Sequence, residues 1–268
     1  MKPCVWFLAL LAASLFGSEP ARAAGITSVK EAASQAALRS ATPEAARAAA
    51  LAWLNGAGKS DPATLAKFQA LWAQTNLSVL DRVADSFALG DARVAELLEQ
   101  ARDASAPAPT VLPALLKDEK QPAFFRSNFG LAYAKALSAR RVDEEALEIL
   151  RLVKPSEVVD PAAYFFHRAV VEHDLLLKGD ANRSIVAVLE DVNDPPERYK
   201  MLAVLMAYDM QGWKEKDLGE IARKMDNIER RLALSRGGPK TQKIQKEVIA
   251  RLDEIIKKLE NQAKGCGS

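Results

Sequence analysis

An all-α fold is what this sequence predicts, on three observations. Ala, Leu, Glu, Lys and Arg dominate its 268 residues, and these are residue types that sit in helices at little cost. Val, Ile and Thr nowhere alternate with polar residues for a sustained stretch, so the period of a half-buried strand is missing. Apolar residues recur instead at spacings of three and four, between helix-start signals such as Thr42-Pro43 and Asp61-Pro62.

The first element is not part of the fold. Lys2 is followed by an apolar run from Val5 to Phe16, then by the small-x-small site Ala21-Arg22-Ala23. That order predicts a signal peptide over residues 1–23, cleaved after Ala23, and an exported chain, periplasmic or extracellular. The run is too short to span a bilayer. Removing residues 1–23 takes away Lys2, Arg22 and Glu19, so the net charge falls from +2 to +1. A nearly neutral chain has no global electrostatic reason to bind nucleic acid. Cys4 leaves with the signal, and Cys266, in the tail KGCGS, becomes the only thiol. An intramolecular disulfide is then excluded.

Residues 24–103 read as a helical module, with helices over 29–39, 43–54, 62–74, 77–89 and 91–102. Thr42, Asp61, Asn76 and Asp91 supply the starts. Phe68, Leu71 and Trp72 form one apolar stripe, and Leu77, Leu80, Val83, Ala84 and Phe87 another. Inside this module lies NGAGKSD, residues 55–61, which resembles the end of a phosphate loop. The loop needs a glycine where Trp53 stands, and a strand before it where the Ala-rich helix runs. Gly56 or Gly58 is better read as the left-handed end of a helix, with Asp61 capping the next.

Residues 104–121, within the proline-rich text DASAPAPTVLPALLKDEKQP, predict a linker. Val111, Leu112, Leu115 and Leu116 are available to dock it. Beyond it the pattern repeats over 122–213. Pro122, Pro161 and Pro196 each open an aromatic-containing helix, at intervals of 39 and 35 residues, and each is followed by a second helix. The second helices carry Ala146, Leu147, Leu150 and Val153; Ile185, Val188, Leu189 and Val192; and Leu218, Ile221, Met225 and Ile228. A helix–turn–helix period of this length predicts about three stacked hairpins.

The stretch Phe129-Gly130-x-x-Tyr133 resembles tetratricopeptide repeats, in which a small residue and an aromatic three positions on let two helices pack closely. Ala146, Leu150 and Pro155 fit the second half of that pattern after a slight insertion. In the second unit Ala169 fits the small position, but Glu172 stands where the aromatic belongs. The resemblance covers residues 122–235 at most. It implies a fold and a tendency to bind proteins, and no activity. Seven aromatics, Phe124, Phe125, Phe129, Tyr133, Tyr164, Phe165 and Phe166, lie in the first two units. Most are expected in the core. Tyr133 and Tyr164 are the candidates for a partner-contacting edge, because a phenol tolerates water.

Residues 214–262 predict a coiled-coil hairpin, whose first helix completes the third repeat, and 263–268 a flexible tail. Leu218, Ile221, Met225, Ile228 and Leu232 make one side of the seam, and Ile244, Val248, Leu252, Ile255 and Leu259 the other. Asp217 and Glu220 have the spacing of a capping box. Residues 214–264 carry 14 Lys or Arg against 9 Asp or Glu.

No compact catalytic or metal-binding pattern stands out, so no cofactor and no metal are expected. His167 and His173 are six residues apart, which puts them on nearly opposite sides of a helix. There is no G-x-S-x-G, and the Glu-Ser pair of exported lytic transglycosylases is absent. The expectation is therefore an exported helical-repeat scaffold that binds another envelope or secreted protein. The alternatives are an anionic surface, lipid headgroup or cell-wall polymer, met by the basic hairpin, or a cell-wall-acting enzyme with an unrecognised carboxylate site. Self-association through the C-terminal helices is a further expectation.

Overall fold

The computed structural model describes residues 38–265. The expected signal peptide with its Ala23 cleavage site, the start of the 24–103 module and Cys266 lie outside them. The described residues form eleven α-helices: α1 (Pro43–Gly56), α2 (Pro62–Ala73), α3 (Val79–Gly90), α4 (Ala92–Arg102), α5 (Ala123–Ala139), α6 (Asp143–Leu152), α7 (Pro161–Asp174), α8 (Lys178–Val186), α9 (Glu197–Gln211), α10 (Leu218–Ala233) and α11 (Pro239–Gly265). The fold is all-α.

Local chemistry sets most of the helix starts. Thr42, Asp61, Asp91, Asp160 and Asp217 each cap a helix with a side-chain oxygen that accepts a first-turn N–H. Ser78, not Asn76, caps α3. Gly58 ends α1 at φ 73°. Lys59 N–H reaches Leu54 O and Gly58 N–H reaches Asn55 O, the two bonds of a Schellman motif. NGAGKSD is thus a helix-to-helix turn.

The helix expected over 29–39 does not reach its end. Leu38–Arg39 is extended and pairs in parallel with Val192–Asn193, and Ala41 N–H bonds Val159 O. At the other end, residues 263–265 of the expected tail continue α11.

The helices stack by one rule. α3 packs on α1 and α2, α5 on α3 and α4, α7 on α5 and α6, and α9 on α7 and α8. The α5–α6 and α7–α8 hairpins turn in the same way. Arg141 (φ 58°) and Leu176 (φ 62°), 35 residues apart, take the left-handed conformation. The N–H groups of Val142 and Leu177 then reach back to Leu137 O and Glu172 O. Gly130 brings α5 against α6. A Cβ there would meet Val153 at 2.9 Å and Ile149 at 3.5 Å.

Two boundaries differ from the sequence reading. The proline-rich segment does not separate two modules. Trp53 of α1 stacks on Phe125 of α5 with ring centroids 5.1 Å apart, and Phe87 of α3 meets the same ring at 5.0 Å. One apolar core runs from Ala46 to Met210. Leu115 and Leu116 are buried in it while Val111 is exposed, so the segment is docked rather than free. The third hairpin is also absent: α9 and α10 do not form a packed pair, and α10 pairs with α11.

Candidate docking surfaces

α9 buries Tyr199, Ala203 and Met210 against the stack. Tyr199 stacks on Phe166 of α7 at 4.2 Å. The opposite side is apolar as well. Met201 is 60% exposed, Val204 53%, Leu205 59% and Tyr208 73%. Their spacing of three and four places them in one stripe, and Leu202 lies at its edge. In a hairpin stack the next repeat would cover this stripe, and a terminal helix ordinarily carries a polar outer face. Here α10 leaves the stack and the stripe stays bare. Exposed apolar patches of this kind mark interaction surfaces. Sequence reasoning read α9 only as the first helix of a third hairpin and named none of its residues for partner contact. The usable signal was a helix apolar on both faces with no second helix to claim the outer one.

The C-terminal hairpin is attached by charge. Asp143, Glu144 and Glu145 form the first turn of α6, where the helix dipole favours anions. Glu144 accepts from Arg230 Nη1 at 2.9 Å and Nη2 at 3.2 Å, from Arg236 at 3.3 Å, and from Arg231. Arg236 also pairs with Glu145 at 2.9 Å. Burial alone would raise the Glu144 carboxyl; the hydrogen bond and charge of Arg230, then Arg231, outweigh it and hold it at about 2. Asp143 behaves oppositely. It is fully buried, neither carboxylate oxygen has a hydrogen-bond partner, and Arg230 lies 3.1 Å away. Burial pushes it up to about 7 against the pull of Arg230. Asn227 Nδ2 donates to Asp174 O at 3.3 Å and completes the clasp. Three of the arginines that made residues 214–264 basic are consequently turned inward.

The residues singled out for partner contact are elsewhere. Tyr133 is 3% exposed and Tyr164 2%, so neither reaches a partner. Tyr164 is held by polar bonding: its hydroxyl donates to Leu150 O at 3.1 Å and accepts from Arg168 at 2.9 Å. Glu172, at the position where the repeat pattern expects an aromatic, is buried and accepts from Arg168 and Ser184. A satisfied polar network replaces the ring. The predicted seam is divided. Ile221 and Val248 are buried, and Ile228, Ile244, Leu252 and Ile255 are half-buried. Leu218, Met225, Leu232 and Leu259 face solvent.

The two histidines sit apart. His167 lies between helices, 3.4 Å from Ser138 Oγ. Burial, then the Lys135 charge, push it down to about 4, so it is neutral near pH 7. His173 bonds Asp174 and Asp209, which raise it. Among the described residues no group of three His, Cys, Asp or Glu is placed to hold a metal ion. A cleft of about 820 Å³ opens beside Trp53 and Phe124; Asp91 on its rim is already held by Arg93. Among the described residues no helix is long and apolar enough to cross a membrane.

No protein-family model, curated protein or solved structure matches the chain. The resemblance of Gly130 and Tyr133 to tetratricopeptide repeats rests on the residues themselves.

Proposed function

We propose that the chain is an exported, non-catalytic scaffold of the tetratricopeptide kind, and that it docks an amphipathic helix of another envelope or secreted protein on the outer face of α9. The observation that carries this is the stripe Met201, Val204, Leu205 and Tyr208, bare on a helix whose other face is already buried. A partner helix with its own apolar residues at spacings of three and four matches such a stripe, in the helix-on-helix mode of recognition. Export is supported by the order of charge, apolar run and small residues in 1–23.

The test is site-specific photo-crosslinking in the source cell, with a photoreactive residue in place of Tyr208 or of Val111, which is equally exposed but away from α9. The expected result is one partner protein joined at 208 and not at 111, lost when Leu205→Asp is added. Equal labelling from both positions, or none at 208, removes the proposal.

A further inference from the structure

The C-terminal hairpin has a second bare face, independent of α9. On α10, Leu218 (65% exposed), Met225 (54%) and Leu232 (49%) recur every seven residues; on α11, Ile249 (58%) and Ile256 (52%) do the same. A seven-residue repeat keeps each set in a single line along its helix. The two lines fall on the same side of the hairpin. On α10 the line lies less than a quarter turn or so ahead of the residues that face α11, Ile221 and Ile228. On α11 it lies about a quarter turn ahead of Val248 and Ile255, taking 100° per residue. The helices run antiparallel, so rotations in the same sense bring both lines to one side. Asn227 and Arg230, which bond the repeat stack, lie on the other. The hairpin is therefore clasped by ions on one face and apolar on the opposite one.

We infer that this face is a dimer interface, and that its occupant is the same hairpin of a second copy of the chain, the four helices forming an antiparallel bundle. Charge favours that occupant. The ion pair Lys224–Glu247 and the hydrogen bond from Arg231 to Thr241 fix the register of α10 against α11. Exposed Glu229 flanks the apolar line on α10, and exposed Lys246 flanks the line on α11 about one turn away in that register. A two-fold axis parallel to the helices lays α10 on α11 of the second copy and brings each Glu229 beside the other copy's Lys246. A negatively charged bilayer meets mixed flanks instead, Glu229 on α10 and Asp253 beside Lys246 on α11. Helices that lie on lipid carry Lys and Arg there.

The experiment is light scattering and sedimentation equilibrium on the chain purified from its own cells, with a reductant that keeps Cys266 from cross-linking. The expected mass is that of a dimer. Met225→Glu with Ile249→Glu is expected to raise the dissociation constant on the order of 100-fold or more with unchanged helical content, since both side chains are already in water. Glu229→Lys alone is expected to weaken the dimer, and Lys246→Glu added to it to restore the dimer. A monomer at about 100 µM overturns the inference. So does a dimer whose mass survives Met225→Glu with Ile249→Glu. A monomer that floats with phosphatidylglycerol vesicles overturns it in favour of lipid.

Discussion

The repeat stack and the C-terminal hairpin are both helical, yet different forces hold them. The stack, α1 to α9, is joined by one apolar core in which Phe68, Phe87, Phe125 and Phe129 are 1% exposed or less. The hairpin contributes almost nothing to that core. Its buried residues include Asn227, Arg230, Arg231 and Thr241, and several of its large apolar side chains face out. Apolar burial is indifferent to pH and nearly so to salt, whereas a clasp of carboxylates and arginines responds to pH, and to salt where it is exposed. The stack is thus the permanent body, and the hairpin an arm whose attachment can be weakened separately.

The largest effect is expected in the stack. Phe125→Ala should cost about 3–5 kcal/mol. Calorimetry should show a single transition moved down as a unit, because Phe125 joins the helices before and after the proline-rich segment. Two separate transitions would restore the two-module reading. Next comes Glu144→Gln, which leaves Arg230 and Arg231 buried beside a neutral amide, at a cost of about 3 kcal/mol. That loss should be local. Hydrogen exchange should quicken over α10 and stay slow in α5, and equal loss in both would end the distinction between body and arm. Gly130→Ala should cost about 1–3 kcal/mol by overpacking against Val153 and Leu116, read as a lower urea midpoint.

Asp143→Asn carries the pH signature. The folded protein holds the Asp143 proton up to about pH 7, while the unfolded chain loses it near its ordinary value. Stability should therefore fall as pH rises between those two values. Asparagine removes that slope, so the Tm of the variant relative to the parent should climb steadily from pH 5 to pH 8, by the equivalent of about 2–3 kcal/mol. Glu144 works in the other sense. Its lowered pKa gives stability that is present above its ordinary value and lost as pH falls toward about 2. A Tm of Asp143→Asn that tracks the parent at every pH would show that Asp143 is charged throughout. The smallest effect is Ser235→Gly. Ser235 sits at φ 58°, and relieving that conformation should add about 0.5–1 kcal/mol to the arm alone, seen as slower exchange near 232–236.

Much of the fold was legible in the sequence because it is written in local chemistry. The caps Thr42, Asp61 and Asp91, the turn at Gly58 and the starts at Pro122, Pro161 and Pro196 each act within a few residues, so reading along the chain finds them. Ser78 was missed beside Asn76 because both are good caps, and the choice between them depends on where α3 packs. Tyr133 and Tyr164 were misplaced because a phenol suits a wet edge or a buried hydrogen bond equally well, and only Leu150 O and Arg168 decide for Tyr164.

The sequence by itself determined that the chain is helical, where most helices begin, and that apolar stripes line them. Tertiary structure decided which stripes are covered. It closed Phe125 under Trp53 across the proline-rich segment, left Met201, Leu205 and Tyr208 of α9 bare, and turned four of the ten seam residues outward. It also brought Glu144 to Arg230, Arg231 and Arg236 across more than eighty residues of chain. The physical reason is range. Capping and periodicity are set by neighbours in sequence, whereas burial and ion pairing are set by neighbours in space.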